Sequence, residues 1–226
     1  MLASVAPMSA LSARLLQFSS TFAASQISVA PGLIAATESL QSIDAEAHGH
    51  LCAGQILGVR MALHGLSLLE ITDPRGADRK RLVTFVEIDR CVTDAISVVT
   101  GCRLGKRALK FRDFGKVAAT FIDLRDNRAV RVVALESSKQ LAAHLYPHVE
   151  PRNQQQMQAY REMPVADLFS HQWVEVVLGP EDFPGYKGPK RTCTQCAEGI
   201  NFERFVERNG QLLCRACAGE SYYKVL

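Results

Sequence analysis

The chain has 226 residues, 47% of them hydrophobic and 22% charged, and a formal net charge of +3. This length allows one sizeable core plus a small module, and no apolar run reaches the ~18 residues of a membrane-spanning helix. Seven cysteines, an odd number, argue against a secreted disulfide framework. They favour metal and thiol chemistry in a reducing compartment, and we expect the cytoplasm.

The first part of the chain is rich in Ser and Ala. Arg14 is the only charged residue within residues 1–30. We expect these residues to form an N-terminal extension, either a loosely packed helix and linker or a transit peptide. After Pro31, apolar residues recur at spacings of three and four as far as Ala47, which predicts an amphipathic helix.

Residues 31–178 are predicted to form the core domain. Apolar periodicity and turn residues predict, in chain order, a helix from Gly54 to about Gly65, strand Leu82–Ile88, helix Arg90–Thr100 with Asp89 as N-cap, strands Val117–Asp123 and Val130–Leu135, helices Ser137–Leu145, Asn153–Glu162 and Pro164–Phe169, and strand Gln172–Val177. This order indicates an α+β fold with helices packed on a largely antiparallel sheet. The Pro- and Gly-rich residues 179–190 are the expected linker to a module at 191–226.

Two imidazoles and a thiol alternate between the first two core helices. His48, His50 and Cys52 are ligand types that zinc prefers. A straight strand would spread them over about 13 Å at roughly 3.3 Å per residue, so one metal binds all three only if the chain bends at Gly49. Otherwise the metal takes two of them and ligands from elsewhere, or these residues are two polar turn residues and a buried thiol.

Cys91 lies in the first turn of the predicted helix Arg90–Thr100. The helix dipole there should lower the pKa of the thiol and favour the thiolate. We therefore predict that Cys91 joins the metal site, with Asp94 on the same helix face. Cys102 lies about 16 Å further along at 1.5 Å per residue, so it has a separate polar role or is a small buried thiol.

A basic stretch follows this helix. Between Arg103 and Arg131 there are nine Lys or Arg residues and three Asp residues. The glycines beside Arg103 and Lys106 are compatible with an anion site, although a solvated basic loop is the alternative. The spacing does not match a Walker A loop.

The C-terminal module contains two Cys-x2-Cys pairs separated by 17 residues. This spacing is typical of a four-cysteine zinc site, which replaces the core that so short a segment cannot build. The dipeptide Asn209-Gly210 predicts a hairpin turn before the second pair. The predicted ligands are Cys193, Cys196, Cys214 and Cys217.

Together these motifs resemble one family. The His/Cys turn from His48, the segments around Cys91 and Cys102, Gly105-Lys106, and Asp113-Phe-Gly-Lys116 are similar to motifs of the formylmethanofuran dehydrogenase FmdE family. The resemblance covers about residues 33–135 and 190–226. It implies a usually dimeric α+β core, a metal-binding cleft lined by the His/Cys turn and the later cysteine, and a zinc-finger tail. The family takes its name from a molybdenum or tungsten enzyme that reduces carbon dioxide onto methanofuran.

Two functions follow as hypotheses. The chain is an accessory protein, either a metal carrier or an adaptor for a molybdenum or tungsten enzyme, or it is a metal-dependent enzyme acting on a small anionic substrate. In the second case Asp94 would be a general base or would orient a metal ligand, and Lys106 with Lys116 would hold the anion. Arg103 and Cys102 are further candidates for ligand binding. Few basic residues mix with aromatic ones in the module, so we do not expect nucleic-acid binding.

Overall fold

The protein is described here from a computed structural model that covers residues 49–224. The predicted extension 1–30, the helix expected after Pro31 and His48 lie outside the described residues. Across residues 49–224, no helix has both the length and the apolar character needed to cross a membrane. The core elements are, in chain order, α1 (Ala53–Leu68), β1 (Leu82–Val86), α2 (Cys91–Thr100), β2 (Leu109–Phe111), β3 (Ala118–Asp123), β4 (Arg128–Ala134), α3 (Ser137–Leu145), α4 (Arg152–Glu162), α5 (Val165–Leu168) and β5 (Phe169–Val174).

The five core strands form one sheet in the order β2-β1-β3-β4-β5. Strand β3 pairs antiparallel with β1 and β4, and β5 pairs antiparallel with β4. Strand β2 pairs parallel with β1 at one edge. The prediction of an α+β fold with a largely antiparallel sheet is confirmed. Strand β2 was not predicted, because three residues within a basic stretch carry too little alternation to be recognised.

Helix α1 is the centre of the core and packs against α2, α4 and the sheet. Its apolar side chains are buried on more than one face, as the two apolar stripes of the sequence predict. Two glycines allow close approach. A Cβ on Gly65 would lie 2.2 Å from the Phe121 ring of β3, and one on Gly58 would lie 2.5 Å from the Val92 carbonyl of α2.

Three element boundaries differ from or match the prediction in instructive ways. Arg90, in extended backbone conformation, is the N-cap of α2, so the assignment of Asp89 was wrong. Strand β5 begins at Phe169 instead of Gln172, because α5 is a single turn that leads directly into the strand. The predicted end of α2 is confirmed, since Gly101 adopts a left-handed conformation with φ 69°.

Ion pairs on the sheet use part of the basic stretch. Arg131 donates two hydrogen bonds to the buried Glu87, at 2.6 and 2.7 Å. Arg81 pairs with Asp123, whose side chain is fully buried. Burial alone would raise the pKa of Asp123, but hydrogen bonds from Arg81 and the Arg125 backbone lower it further than burial raises it.

The C-terminal module consists of short strands around the cysteines. They are β6 (Arg191–Thr192), β7 (Gly199–Ile200), β8 (Phe205–Arg208) and β9 (Gln211–Cys214). Strands β8 and β9 form the predicted hairpin, with φ of 50° at Asn209 and 76° at Gly210. A short helical turn at Ala216–Glu220 follows the hairpin.

The predicted linker 179–190 is anchored to the core. Arg107 donates hydrogen bonds to the carbonyls of Glu181 and Tyr186, the latter at 2.7 Å. Its guanidinium also lies 4.2 Å from the ring centroid of Phe202 in the module. Lys110, buried in β2, pairs with Asp182 at 3.2 Å. The core therefore contacts both the linker and the module through its basic stretch.

Candidate metal sites

The four cysteines of the C-terminal module come together as a group. Each offers a sulfur atom, and the four ligand atoms all lie within 4.8 Å of one another. Cys193 follows β6 and is buried, and Cys214 ends β9. The first pair is held by the turn after β6, and the second by the β8–β9 hairpin and the turn after it. The sequence prediction of this cluster is confirmed, and the group can hold a metal ion.

The geometry of this cluster fits zinc. Tetrahedral zinc with Zn–S bonds of about 2.3 Å places neighbouring sulfurs about 3.8 Å apart. The Sγ atoms of Cys196 and Cys214 are 3.9 Å apart. The Cys214 backbone N–H also points to the sulfur of Cys193, at 3.3 Å, and that of Cys217 to the sulfur of Cys214, at 3.4 Å. Such N–H groups stabilise thiolates, the form that binds metal.

The thiols of the cluster have opposed pKa shifts. Backbone hydrogen bonds from Cys196 and Cys214 lower the pKa of Cys193 to about 6. Hydrogen bonding to the Cys214 sulfur, with burial, raises the pKa of Cys217 to about 12. Four adjacent thiols cannot all ionise unless a cation offsets their charge. A divalent metal supplies that charge when bound.

The second candidate site begins at the turn before α1. Gly49 has φ 92°, so the bend that the sequence analysis required there is present. Cys52 is the N-cap of α1, and its backbone N–H donates to Oε1 of the buried Gln55 at 2.8 Å. The first N–H of α1, from Ala53, points to Oδ1 of Asn153 at 3.5 Å. Side chains of α1 and α4 thus hold the Cys52 turn.

Cys91 is the first residue of α2 and lies beside Cys52. A Cβ built on Gly54 would be 3.4 Å from Cβ of Cys91 and 3.7 Å from Sγ of Cys52. The thiol of Cys91 forms a hydrogen bond with that of Cys52. Gly58 permits this neighbourhood, because a side chain there would force α2 away from α1.

Burial, and then the Cys52 thiol, raise the pKa of Cys91. The expected lowering by the helix dipole was therefore wrong, because desolvation and the neighbouring thiol have the larger effect. His50 is exposed in the same turn. Over residues 49–224, the terminal cysteines are the only group of three or more ligand atoms close enough for one metal. The core residues within that range therefore supply two adjacent thiols.

The candidates for catalysis and ligand binding lie in different places. Asp94 lines a hollow of about 450 Å³ beside Cys91, together with Asp89 and Arg90. Lys106 and Arg103 line a separate pocket near the C-terminal end of α2, whose lining does not include Lys116. Lys116 is exposed in the loop before β3. Helix α2, ten residues and about 15 Å long, separates Asp94 at its start from Lys106 beyond its end.

Cys102 is a small buried thiol in the hydrophobic core. It is 2% exposed, and its sulfur accepts a hydrogen bond from Thr84 Oγ1 at 3.6 Å. Burial raises its pKa, which keeps the thiol neutral. Of the two alternatives that the sequence left open, this placement favours the structural one.

The sequence analysis missed two kinds of supporting residue. Gln55 has a recognisable signal, because an N-cap followed three residues later by Gln or Glu is a capping pattern. Arg75 and Arg79 line the same pocket as Arg103 and Lys106, although they belong to a turn some 25 residues earlier in the chain. No local pattern connects the two segments.

Comparisons with known proteins agree with this architecture. The solved structure of an FmdE-like protein of tungsten formylmethanofuran dehydrogenase, from Syntrophus aciditrophicus, matches with a TM-score of 0.52. The match covers 83% of this chain and 95% of the other chain, at 20% identity, and therefore concerns the fold.

A sequence relative comes from Archaeoglobus fulgidus. It is described as a "probable S-adenosyl-L-methionine-binding protein" and is 29% identical over 199 residues. The match covers 80% of this chain, which spans about half (52%) of the relative's length.

The family comparison includes both thiols of the core turn. The family model described as "FmdE, Molybdenum formylmethanofuran dehydrogenase operon" matches residues 47–170. That range is more than half of the chain, contains Cys52 and Cys91, and ends before the four-cysteine module. The chain belongs to the FmdE family.

Proposed function

We propose that this protein is a metal-binding accessory protein for a molybdenum or tungsten enzyme of formylmethanofuran-type one-carbon metabolism. Zinc in the C-terminal cluster holds the module together. A second divalent metal, zinc by preference, binds in the core at Cys52 and Cys91 with His50 and His48. The observation that carries the proposal is that two thiols from separate segments meet at the starts of α1 and α2.

The chemistry of these core residues supports a transition metal. Thiolate and imidazole are the ligands that zinc and its neighbours prefer, and His50 lies two residues before Cys52. Gln55 and Asn153 fix the backbone around Cys52, as groups that orient metal ligands commonly do. A bound metal would hold the two thiols as thiolates and provide charge at the surface of the core.

An accessory role fits the surroundings better than catalysis. The hollow beside Cys91 is lined by one arginine and two aspartates, which is a poor seat for an anionic substrate. Lys106, the cation expected to hold the anion, lines another pocket. The alternative, a metal-dependent enzyme acting on a small anionic substrate, draws support from Asp94, which shares the hollow with Cys91.

The same proposal includes a homodimer in a reducing compartment, with the cytoplasm as the expected one. Free thiols at both sites require reducing conditions to remain available for metal. The molybdenum or tungsten enzyme would be the partner that the core metal site serves. The family's printed description, which names a molybdenum formylmethanofuran dehydrogenase operon, supports that choice of partner.

The rate at which zinc leaves the protein tests the accessory role. Zinc-loaded protein is mixed with an excess of a coloured chelator, and release is followed over time. We expect a fast phase from the core and a slow phase from the four-thiolate cluster. Cys91→Ser should abolish the fast phase, whereas the matched change Cys102→Ser should leave it intact. A single slow phase in both variants and in the unchanged protein would contradict the proposal.

Gln55 gives a second, finer variant for the same experiment. Gln55→Leu removes the acceptor of the Cys52 N–H and should weaken core zinc binding about 10–100-fold, as is usual when groups that orient metal ligands are lost. Gln154→Leu makes the same chemical change at an exposed position of α4 and should have no effect. Equal effects of both changes would remove the positioning role of Gln55.

Ligand binding separates the accessory protein from the enzyme. Calorimetry with S-adenosyl-L-methionine, chosen because of the archaeal relative's description, should give no signal that depends on Cys91 or Asp94 if the role is accessory. Binding that Asp94→Asn abolishes while zinc content stays unchanged would favour the enzyme instead.

A further inference from the structure

The pocket at the C-terminal end of α2 is the most strongly basic concavity in the described part of the chain. Its volume is about 270 Å³. The turn before β1 supplies one side of its lining, and the end of α2 with the segment after it supplies the other. Its lining includes no carboxylate and carries four cationic side chains, those of Arg75, Arg79, Arg103 and Lys106.

These four cations have no carboxylate partner among residues 49–224. The ion pairs in this range involve other lysines and arginines. Elsewhere in the core, basic residues are matched: Arg131 with Glu87, Lys110 with Asp182, and Arg81 with Asp78 and Asp123. The pocket therefore differs from the rest of the basic stretch, where charge serves the fold.

Nearby acidic residues are directed to the turn itself. The Asp73 carboxylate accepts hydrogen bonds from the N–H groups of Gly76 and Ala77, at 2.9 and 2.7 Å. Asp78 accepts from the Asp73 N–H at 3.1 Å and pairs with Arg81 at 2.7 Å. These contacts stiffen the turn that presents Arg75 and Arg79. Residues 73–81 with Arg103 and Lys106 carry six Lys or Arg and two Asp, an excess of four positive charges.

The cations are not needed to complete the end of α2. The Gly101 N–H donates to the Ser97 carbonyl at 2.9 Å, and Thr100 Oγ1 donates to the Ile96 carbonyl at 2.6 Å. Ser97 Oγ donates to the Cys102 carbonyl at 2.7 Å. The stem of Arg75 packs on Gly101, where a Cβ would lie 3.2 Å from its Cγ. The helix end is thus capped by its own groups, and Arg75 is held beside it.

We propose that this pocket binds a small phosphorylated anion, a phosphate ester or diphosphate. Three guanidinium groups and one ammonium group in a concave wall concentrate positive potential, and guanidinium groups pair with phosphoryl oxygens through two parallel hydrogen bonds. The volume lies just below the range of about 300–1,000 Å³ typical of small-molecule sites, so a compact ligand fits better than a dinucleotide. The site is separate from the Cys52–Cys91 pair and does not depend on the proposed core metal.

Calorimetric titration of the full chain with pyrophosphate, and with inorganic phosphate as the weaker probe, tests the proposal. We expect one pyrophosphate per chain. Arg79→Gln and Arg103→Gln should each weaken binding roughly tenfold, since each removes a charge-assisted hydrogen-bond donor. Lys80→Gln removes the same charge from an adjacent exposed residue outside the pocket and should change the affinity less than about twofold.

Two results would overturn the proposal: no binding of pyrophosphate at millimolar concentration, or equal weakening by Arg79→Gln and Lys80→Gln, which would mean diffuse surface attraction. Arg79 and Arg103 lie on different segments, so a folding defect in one variant leaves the other as the test. Cys91→Ser should leave the affinity for pyrophosphate unchanged. Loss of zinc from the core with intact pyrophosphate binding would therefore contradict the proposed function alone.

Discussion

The C-terminal cluster and the core turn use the same ligand types but are built in opposite ways. In the module, all four sulfurs are arranged by short turns and one hairpin, and the Sγ atoms of Cys196 and Cys214 are 3.9 Å apart. In the core, Cys52 and Cys91 are 39 residues apart in sequence and meet because α1 packs closely on α2. A site encoded by local spacing tolerates changes elsewhere, whereas a site assembled by packing depends on the whole core.

The largest expected effect comes from breaking the module's own site. Cys193→Ser with Cys214→Ser should remove its zinc and unfold strands β6–β9, because a structural zinc contributes about 10–16 kcal/mol to folding. Zinc analysis and limited proteolysis of the module measure this. Cys102→Ala, a cysteine of the core, is the control and should leave the module's zinc in place. Protease resistance that persists without zinc would show that the module folds on side-chain packing alone.

The core site should instead fail when helix packing is disturbed. Gly58→Ala places a Cβ 2.5 Å from the Val92 carbonyl and 2.7 Å from the Ala95 Cβ. We expect the free energy of unfolding to fall by about 3 kcal/mol, as for overpacked cores, while the module keeps its zinc. Urea denaturation measures the loss. Gly105→Ala is the matched control, because nothing lies within 4 Å of a Cβ there; comparable losses in both variants would mean that close packing at Gly58 is unimportant.

Arg107 connects the two regions. Arg107→Ala removes hydrogen bonds to the Glu181 and Tyr186 carbonyls and the contact with the Phe202 ring. We expect a cost of about 2 kcal/mol and faster proteolysis within residues 179–190, with zinc retained in the module. Arg125→Ala, at a 62% exposed side chain, should have little effect. If proteolysis of the linker is unchanged in Arg107→Ala, another contact holds it.

Acid should separate the regions most gently. The folded-state pKa of Asp123 is lowered, so its contribution to stability is present above the unfolded-state pKa and is lost as pH falls through the folded-state value. Between neutral pH and about pH 3 the core should lose about 1 kcal/mol from this residue, while protonation of the thiolates releases zinc from the module. Urea denaturation against pH should show this slope in the unchanged protein and not in Asp123→Asn. An identical slope in both would assign the acid sensitivity to other groups.

The same contrast explains which features the sequence predicts. Cys-x2-Cys pairs, the Asn209-Gly210 turn and the Gly101 helix end are local, so spacing and backbone preference are sufficient to identify them. The cation pocket is not local, because Arg75 and Arg103 come from segments that meet only in the folded core. The pKa of Cys91 was mispredicted for a related reason: the helix start is visible in the sequence, but burial and the neighbouring Cys52 are not.

Zinc content per chain, measured by mass spectrometry on reduced and reconstituted protein, tests the proposed second metal site most directly. We predict about two zinc ions in the unchanged protein and in Cys102→Ser, and about one in Cys91→Ser, because one four-thiolate site and one core site each bind a single ion. About one zinc ion in all three proteins would mean that the core binds no metal, and would contradict the proposed second site.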